Sequence, residues 1–120
     1  MVQYVPDRND IVVIDFDPTK GKEMGKLRPA LVLSSREYST LTGLMICCPI
    51  STSIRGSATE VVIDGLDKPS VVAASIIQTL SWTERKAKRI AKAKPGVLEQ
   101  VLLRLIPLIG ADQIFDKYVK

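Results

Sequence analysis

The apolar positions in the first two thirds of the chain come in short, tight runs separated by polar residues. Ile11-Val12-Val13-Ile14, inside Asp10 to Phe16, predicts a first strand, because β-branched side chains pack well on a pleated surface. Pro18 through Leu27 carries Gly21, Gly25 and three lysines and predicts a mobile loop. Arg28 to Ser34 predicts a second strand, with Pro29 near its start where a missing N–H is tolerated. Leu44 to Ile50 predicts a third, followed by a polar loop from Ser51 to Ser57 around Gly56. Glu60 to Ile63 and Val71 to Ala73 predict short strands on either side of a turn at Asp64-Gly65, and Ser75 to Trp82 continues the pattern.

The last third changes period. Leu98, Val101, Leu102, Leu105 and Ile109 recur at helical spacing after Pro95, a residue suited to a first helical turn. Pro107 lies inside this pattern and should kink the helix or end it early. Between Thr83 and Lys94 the residues leave two readings open. The alanines and the Glu84/Lys88 spacing favour a helix, while the alternation around Ile90, Ala91 and Ala93 fits a strand. Many short strands and one amphipathic helix predict a mainly β fold, a small barrel closed by a helix. With no internal repeat or linker, residues 1–110 are expected to form a single domain and residues 111–120 a C-terminal tail of undetermined order.

Composition narrows the chemistry. At 120 residues the chain supports one core, and with only 5% aromatic residues that core must be built from Val, Ile and Leu. No stretch approaches the roughly 18 apolar residues that span a bilayer, and Met1 to Asp10 lacks the layout of a secretory signal, so a cytoplasmic location is expected. Cys47 and Cys48 are neighbours, pointing to opposite faces if they lie on a strand, and form neither a disulfide framework nor a Cys-x-x-Cys site. The absence of histidine removes the usual general base, the Cys-His and Ser-His pairs and every His-containing zinc site. The net charge of +4 is concentrated in two groups. One is Arg85, Lys86, Lys88, Arg89, Lys92 and Lys94; the other is Lys20, Lys22, Lys26 and Arg28 around the glycine-containing loop. Two basic groups on a small domain suit a phosphate backbone, though they also suit a solvated surface.

Particular residues in particular order go further. Asp15-Phe16-Asp17-Pro18-Thr19-Lys20-Gly21, then Glu23, then Arg28-Pro29-Ala30-Leu31-Val32-Leu33-Ser34 resembles the opening of the MazF/PemK toxins. Pro49-Ile50-Ser51 matches that family's Pro-x-Thr/Ser step after the third strand. Gly43, Trp82 and the segment Leu98 to Gly110 fall at similar places, so the resemblance spans residues 3 to 110. It implies an SH3-like barrel, shared with the CcdB gyrase poisons, with a C-terminal helix and normally a homodimer. It implies a toxin that cleaves single-stranded RNA at a short sequence, without a metal or other cofactor, leaving a 2′,3′-cyclic phosphate and a 5′-hydroxyl. The implied partner is an antitoxin whose acidic C-terminal segment occupies the RNA groove. For the basic run near Arg89 the resemblance implies a turn and a final strand.

Candidate site residues follow from the chemistry of RNA together with this resemblance. RNA supplies its own nucleophile, the 2′-OH, so the protein needs only to align it and to stabilise charge on phosphorus. Arg28 suits the second task, since a guanidinium grips two phosphate oxygens and stays charged. The Ser51 hydroxyl can donate to the same phosphate, and Glu23 can accept the 2′-OH proton or orient Arg28. Lys20, Lys22 and Lys26 are expected to attract the backbone, with Thr52 and Gln78 as further RNA contacts. Where family members often carry Asp-Gln and then a basic residue two positions on, this chain has Ser75-Ile76-Ile77-Gln78, which bears on sequence preference. Trp82 is either a stacking surface for a base or part of the core or a dimer interface. Two rivals remain at this stage: a catalytically inactive barrel of the same shape, and a gyrase-binding toxin, whose Trp would lie near the extreme C-terminus rather than at 82.

Overall fold

The computed structural model describes residues 3–16 and 27–119. Seven strands and three helices follow one another as β1 (Asp10–Asp15), β2 (Leu27–Val32), α1 (Arg36–Thr42), β3 (Leu44–Ser51), β4 (Glu60–Ile63), β5 (Ser70–Ala73), β6 (Gln78–Ser81), β7 (Lys88–Lys92), α2 (Pro95–Leu108) and α3 (Ala111–Tyr118). The strands pair antiparallel in the order β4-β5-β3-β2-β1-β7, and β6 pairs with β3 outside that path. This is the curled, mainly antiparallel sheet expected of the barrel, with a helix after the last strand. The Arg89 region, open between helix and strand by propensity, is strand β7, whose exposed lysines and arginine protect a sheet edge from further pairing.

β3 is the centre of the sheet. Along one edge it carries β6 at Leu44 to Cys47 and then β5 at Ile50 and Ser51; β2 lies along the other edge. Because β5 and β6 use successive halves of the same edge, the chain must step out of the ladder between them. It does so in a turn at Ala74, with Ile76 N donating to Ala73 O at 3.1 Å. The strand predicted from Ser75 is therefore confined to Gln78–Ser81.

Alternation along the strands divides the apolar side chains into two cores. Ile11, Leu31, Cys48, Ile50 and Val72 meet Val101 and Leu105 of α2 on one face. Val12, Ile14, Ala30, Val32, Met45, Cys47 and Trp82 form the other. The two cysteines fall on opposite faces, as their adjacency predicts, and burial pushes both thiols up to about 12. In α2 the buried positions are Val101 and Leu105. Leu102 and Ile109, which share the apolar periodicity, are left exposed. The helix stops at Leu108, one residue after Pro107, which has no N–H to donate to the Leu103 carbonyl and so weakens the last turn.

Two elements escaped the pattern of the sequence. Helix α1 is seven residues long, too short to show a period; the Ser35 hydroxyl caps it by accepting from Tyr38 N at 3.2 Å, and Gly43 ends it at φ +73°. The tail contains α3, an eight-residue helix entered through Gly110 at φ +77°. The N-terminal segment is tied down by Asp10, whose buried carboxylate accepts from Tyr4 Oη, Asp7 N and Lys92 Nζ. Burial and the bond to Asp10 hold the Tyr4 phenol above its ordinary range, so it remains the donor. Asn9, at φ +73°, fastens the same corner by donating from Nδ2 to Ala93 O at 2.8 Å.

Trp82 belongs to the core. It is 7% exposed, and its indole N–H donates to Ser39 O at 2.9 Å, joining β6 to α1. A Trp82→Ala variant is expected to lose about 3–5 kcal/mol of unfolding free energy in urea titration. Trp82→Phe, which keeps an aromatic ring and loses the hydrogen bond, should lose about 1–2 kcal/mol. Stability unchanged in both variants would contradict the assignment. Cys47 and Cys48 are expected to resist thiol reagents at pH 8 in the native protein and to react fully after denaturation, since the thiolate is the reacting form; mass spectrometry of the labelled protein reads this directly.

Candidate active site

Arg28 and Ser51 are placed together by strand register. The β2–β3 ladder runs Val32 opposite Cys47, Leu31 opposite Cys48 and Ala30 opposite Pro49. One more alternation along it leads to Arg28 on β2 and Ser51 on β3, on the face that Ala30 and Cys47 occupy in the core. The regular pairing stops just short of them, where Pro29 has no N–H to give to β3. β2 and β3 are thus relieved of mutual hydrogen bonding where both polar side chains emerge. Arg28 stays anchored on its other side, opposite Ile14 of β1, and Ser51 opposite Val71 of β5. Arg28 is exposed and Ser51 half-buried.

The Ser51 hydroxyl accepts from Ser53 N at 3.0 Å, which fixes the oxygen and leaves its proton for another acceptor. It opens into a cavity of about 260 Å³. Val71, Ala73 and Ile76 give this cavity an apolar wall, and Ser53, Ser57, Thr59, Ser75 and Arg55 give it polar groups. Its outer rim is the loop after β3, shaped by Glu60. The Glu60 carboxylate accepts from Arg55 N, Gly56 N and Ser57 N at 3.2, 2.9 and 3.2 Å, gathering three successive N–H groups around one side chain. Gly56 supplies the positive φ, +74°, that the loop needs to turn about it.

The remaining candidates separate into three groups. Gln78 lies on β6 opposite Cys47, on the same face as Ser51 but four residues back along β3, a separation of about 13 Å. Thr52 lines a different depression with Val13, Pro29 and Ile90, on the opposite face from Ser51, as strand alternation requires. Glu23, Lys20, Lys22 and Lys26 lie outside the described residues.

Arg85 and Arg55 were not singled out by sequence reasoning. Arg85, read only as one of a basic run, donates from Nη1 to Asp15 O at 2.9 Å, and its own carbonyl accepts from Asp15 N at 3.3 Å. It therefore clamps the turn before β7 to the end of β1, the point from which the chain departs toward Glu23. Arg55 lies in a polar loop with no motif to mark it; only its place on the cavity beside Ser51 does so. Among the described residues no group of three or more His, Cys, Asp or Glu side chains is arranged to hold a metal ion. No described helix is long and apolar enough to cross a membrane.

Comparison with known proteins gives a consistent result. Residues 7–109 match the family model described as PemK-like, MazF-like toxin of type II toxin–antitoxin system. The chain is 37% identical over 108 residues to the endoribonuclease toxin MazF of Escherichia coli K12, covering 90% of this chain and 97% of that one. It is 35% identical over 105 residues to the endoribonuclease toxin ChpB of the same organism, covering 82% and 90% respectively. Among solved structures, MazF in a MazE–MazF crystal from Deinococcus radiodurans superposes with a TM-score of 0.84 at 39% identity, covering 90% of this chain and 98% of that one. The family model spans the strands, α2 and both residues of the Arg28–Ser51 pair, and the chain accordingly belongs to the PemK-like, MazF-like toxins of type II toxin–antitoxin systems.

Proposed function

We propose that this protein is the toxin of a toxin–antitoxin pair and a metal-independent endoribonuclease that cuts single-stranded RNA at a short sequence. The observation that carries the reading is the register bringing Arg28 and Ser51 to one face, with Ser51 lining a polar cavity, in a chain of this family. The 2′-OH next to the scissile phosphate attacks phosphorus, and the 5′-oxygen leaves. The products are a 2′,3′-cyclic phosphate and a 5′-hydroxyl. Arg28 holds two non-bridging oxygens and neutralises the charge that grows on them. Ser51, its oxygen held by Ser53 N, donates its proton to the same phosphate. Glu23 accepts the proton from the 2′-OH or orients Arg28. Lys20, Lys22 and Lys26 draw in the backbone, and Gln78 and Thr52 contact the strand farther from the cut.

The same reading makes the protein a cytoplasmic homodimer. Its antitoxin carries an acidic segment that competes with RNA for the basic groove. Deinococcus radiodurans relatives crystallised as MazE–MazF complexes support an antitoxin partner.

The test is incubation of the protein with a long single-stranded RNA in EDTA, followed by mapping of the ends. Discrete cuts with 5′-hydroxyl ends are expected. Arg28→Ala and Ser51→Ala should each lower kcat by about 10²–10³, the cost of one lost transition-state donor, with little change in KM. Ser51→Thr should retain most activity, because the hydroxyl remains. Intact RNA from a folded protein would defeat the nuclease reading and leave a binding-only barrel, with the Ser75-Ile76-Ile77-Gln78 step as its cause.

A further inference from the structure

The last helix is not accounted for by the toxin barrel. The family match ends at residue 109, and 90% of this chain is enough to cover 97% of the Escherichia coli MazF relative. Helix α3, Ala111–Tyr118, follows that boundary. None of its residues is buried. Ala111, Ile114, Phe115 and Tyr118 share one side of it by helical spacing, and Val119 continues that side. Ile114, Phe115, Tyr118 and Val119 are 54%, 49%, 70% and 70% exposed. An eight-residue helix is unstable by itself in water, so its order depends on packing that its own chain only half supplies.

The same chain carries an apolar groove of about 390 Å³ between the start of α1, the sheet and α2. Leu33, Ile46, Ile77, Leu102 and Ile106 line it. Ile77 and Leu102 are exposed there, and Leu102 is one of the helix positions whose apolar character the chain's own core does not explain. Charge fits as well. Asp112 and Asp116 stand one turn apart along one border of the α3 apolar side, and neither forms an ion pair among the described residues. Arg8, exposed in the groove lining, donates Nε to Leu33 O and forms no ion pair among the described residues. An arm and a groove of complementary polarity on one chain are satisfied together when two copies exchange arms about a twofold axis.

We propose that α3 is an exchange arm that docks in the groove of a second copy of this chain. Ile114, Phe115 and Tyr118 cover Ile77, Leu102 and Ile106 of the other copy, and Asp112 or Asp116 meets its Arg8. This rests on the homodimer part of the proposed function and not on the nuclease part. It also gives a purpose to the exposed Ile77, which lies in the segment where this chain departs from the family's usual residues.

Two chains, one Ile77→Cys and the other Phe115→Cys, test the arrangement when they are purified separately, mixed, allowed to exchange and treated with a bifunctional maleimide. The native cysteines are buried with raised pKa values and stay silent. A covalent product joining one chain of each kind is expected, in clear excess over either variant treated alone. In the chain carrying both substitutions, a product linked only within one chain would show the arm folded on its own groove and would overturn the proposal. So would a dimer that gives no product between chains. As a second readout, Asp112→Lys with Asp116→Lys should raise the dimer dissociation constant at least tenfold in sedimentation equilibrium, and adding Arg8→Glu should recover much of that loss. An unchanged constant would also overturn the exchange while leaving a homodimer through another surface. A full chain that sediments as a monomer at tens of micromolar would remove both. RNA cleavage is read in none of these measurements, so the nuclease can fail without affecting them.

Discussion

Leu44 to Ser51 is the strand on which both cores and the candidate site depend. Its side chains alternate between faces: Met45 and Cys47 fill the core around Trp82, while Cys48 and Ile50 fill the core under α2. A slip of one residue would exchange the two sets and send Ser51 to the wrong side. Register is held by β2 along one edge and by β5 and β6 in succession along the other. The burial of two thiols with raised pKa values at the centre is a consequence, since the strand has no solvent-facing side over that length.

The candidate site arises where this arrangement gives out. Pro29 ends the β2–β3 ladder at the level where Arg28 and Ser51 emerge on one face. The two strands still fix both residues from their outer edges, through Ile14 and Val71. Rigid elements thus hold both side chains, while loops shaped by single side chains surround them. Glu60 gathers the loop after β3, and Arg85 fixes the point at which the chain leaves β1. Glu60 and Arg85 both act on backbone groups, and so determine where those loops stand.

Charge is used in two ways. Asp10 is buried, and Lys92 at 3.0 Å and Arg89 at 3.7 Å face it from β7, so two of the basic-run residues are engaged in holding the edge strand and the N-terminal segment. Arg85 is half-buried and donates to Asp15 O, Lys94 lies 3.5 Å from Asp64, and Lys86 and Lys88 are exposed. A net charge of +4 therefore overstates the cationic surface free for an anionic partner, because part of it is consumed in the fold.

The sequence by itself determined the positions of β1 to β5, the helix after Pro95, the opposed faces of Cys47 and Cys48 and the family, because each is written in local period or in ordered motifs. It also singled out Arg28 and Ser51 as candidates, though through resemblance to the family rather than through their spacing of 23 residues, which has no meaning until β2 and β3 are paired. It did not show α1, whose seven residues are stabilised by a cap at Ser35 and by the Trp82 indole from the far side of the chain. It could not choose between helix and strand for Lys88 to Lys92 from propensity, because the choice is made by an edge of β1 waiting for a partner. Nor could it give Glu60, Arg55 and Arg85 any standing. Those assignments depend on which residues distant in the chain share a face, and only the packing of the sheet decides that.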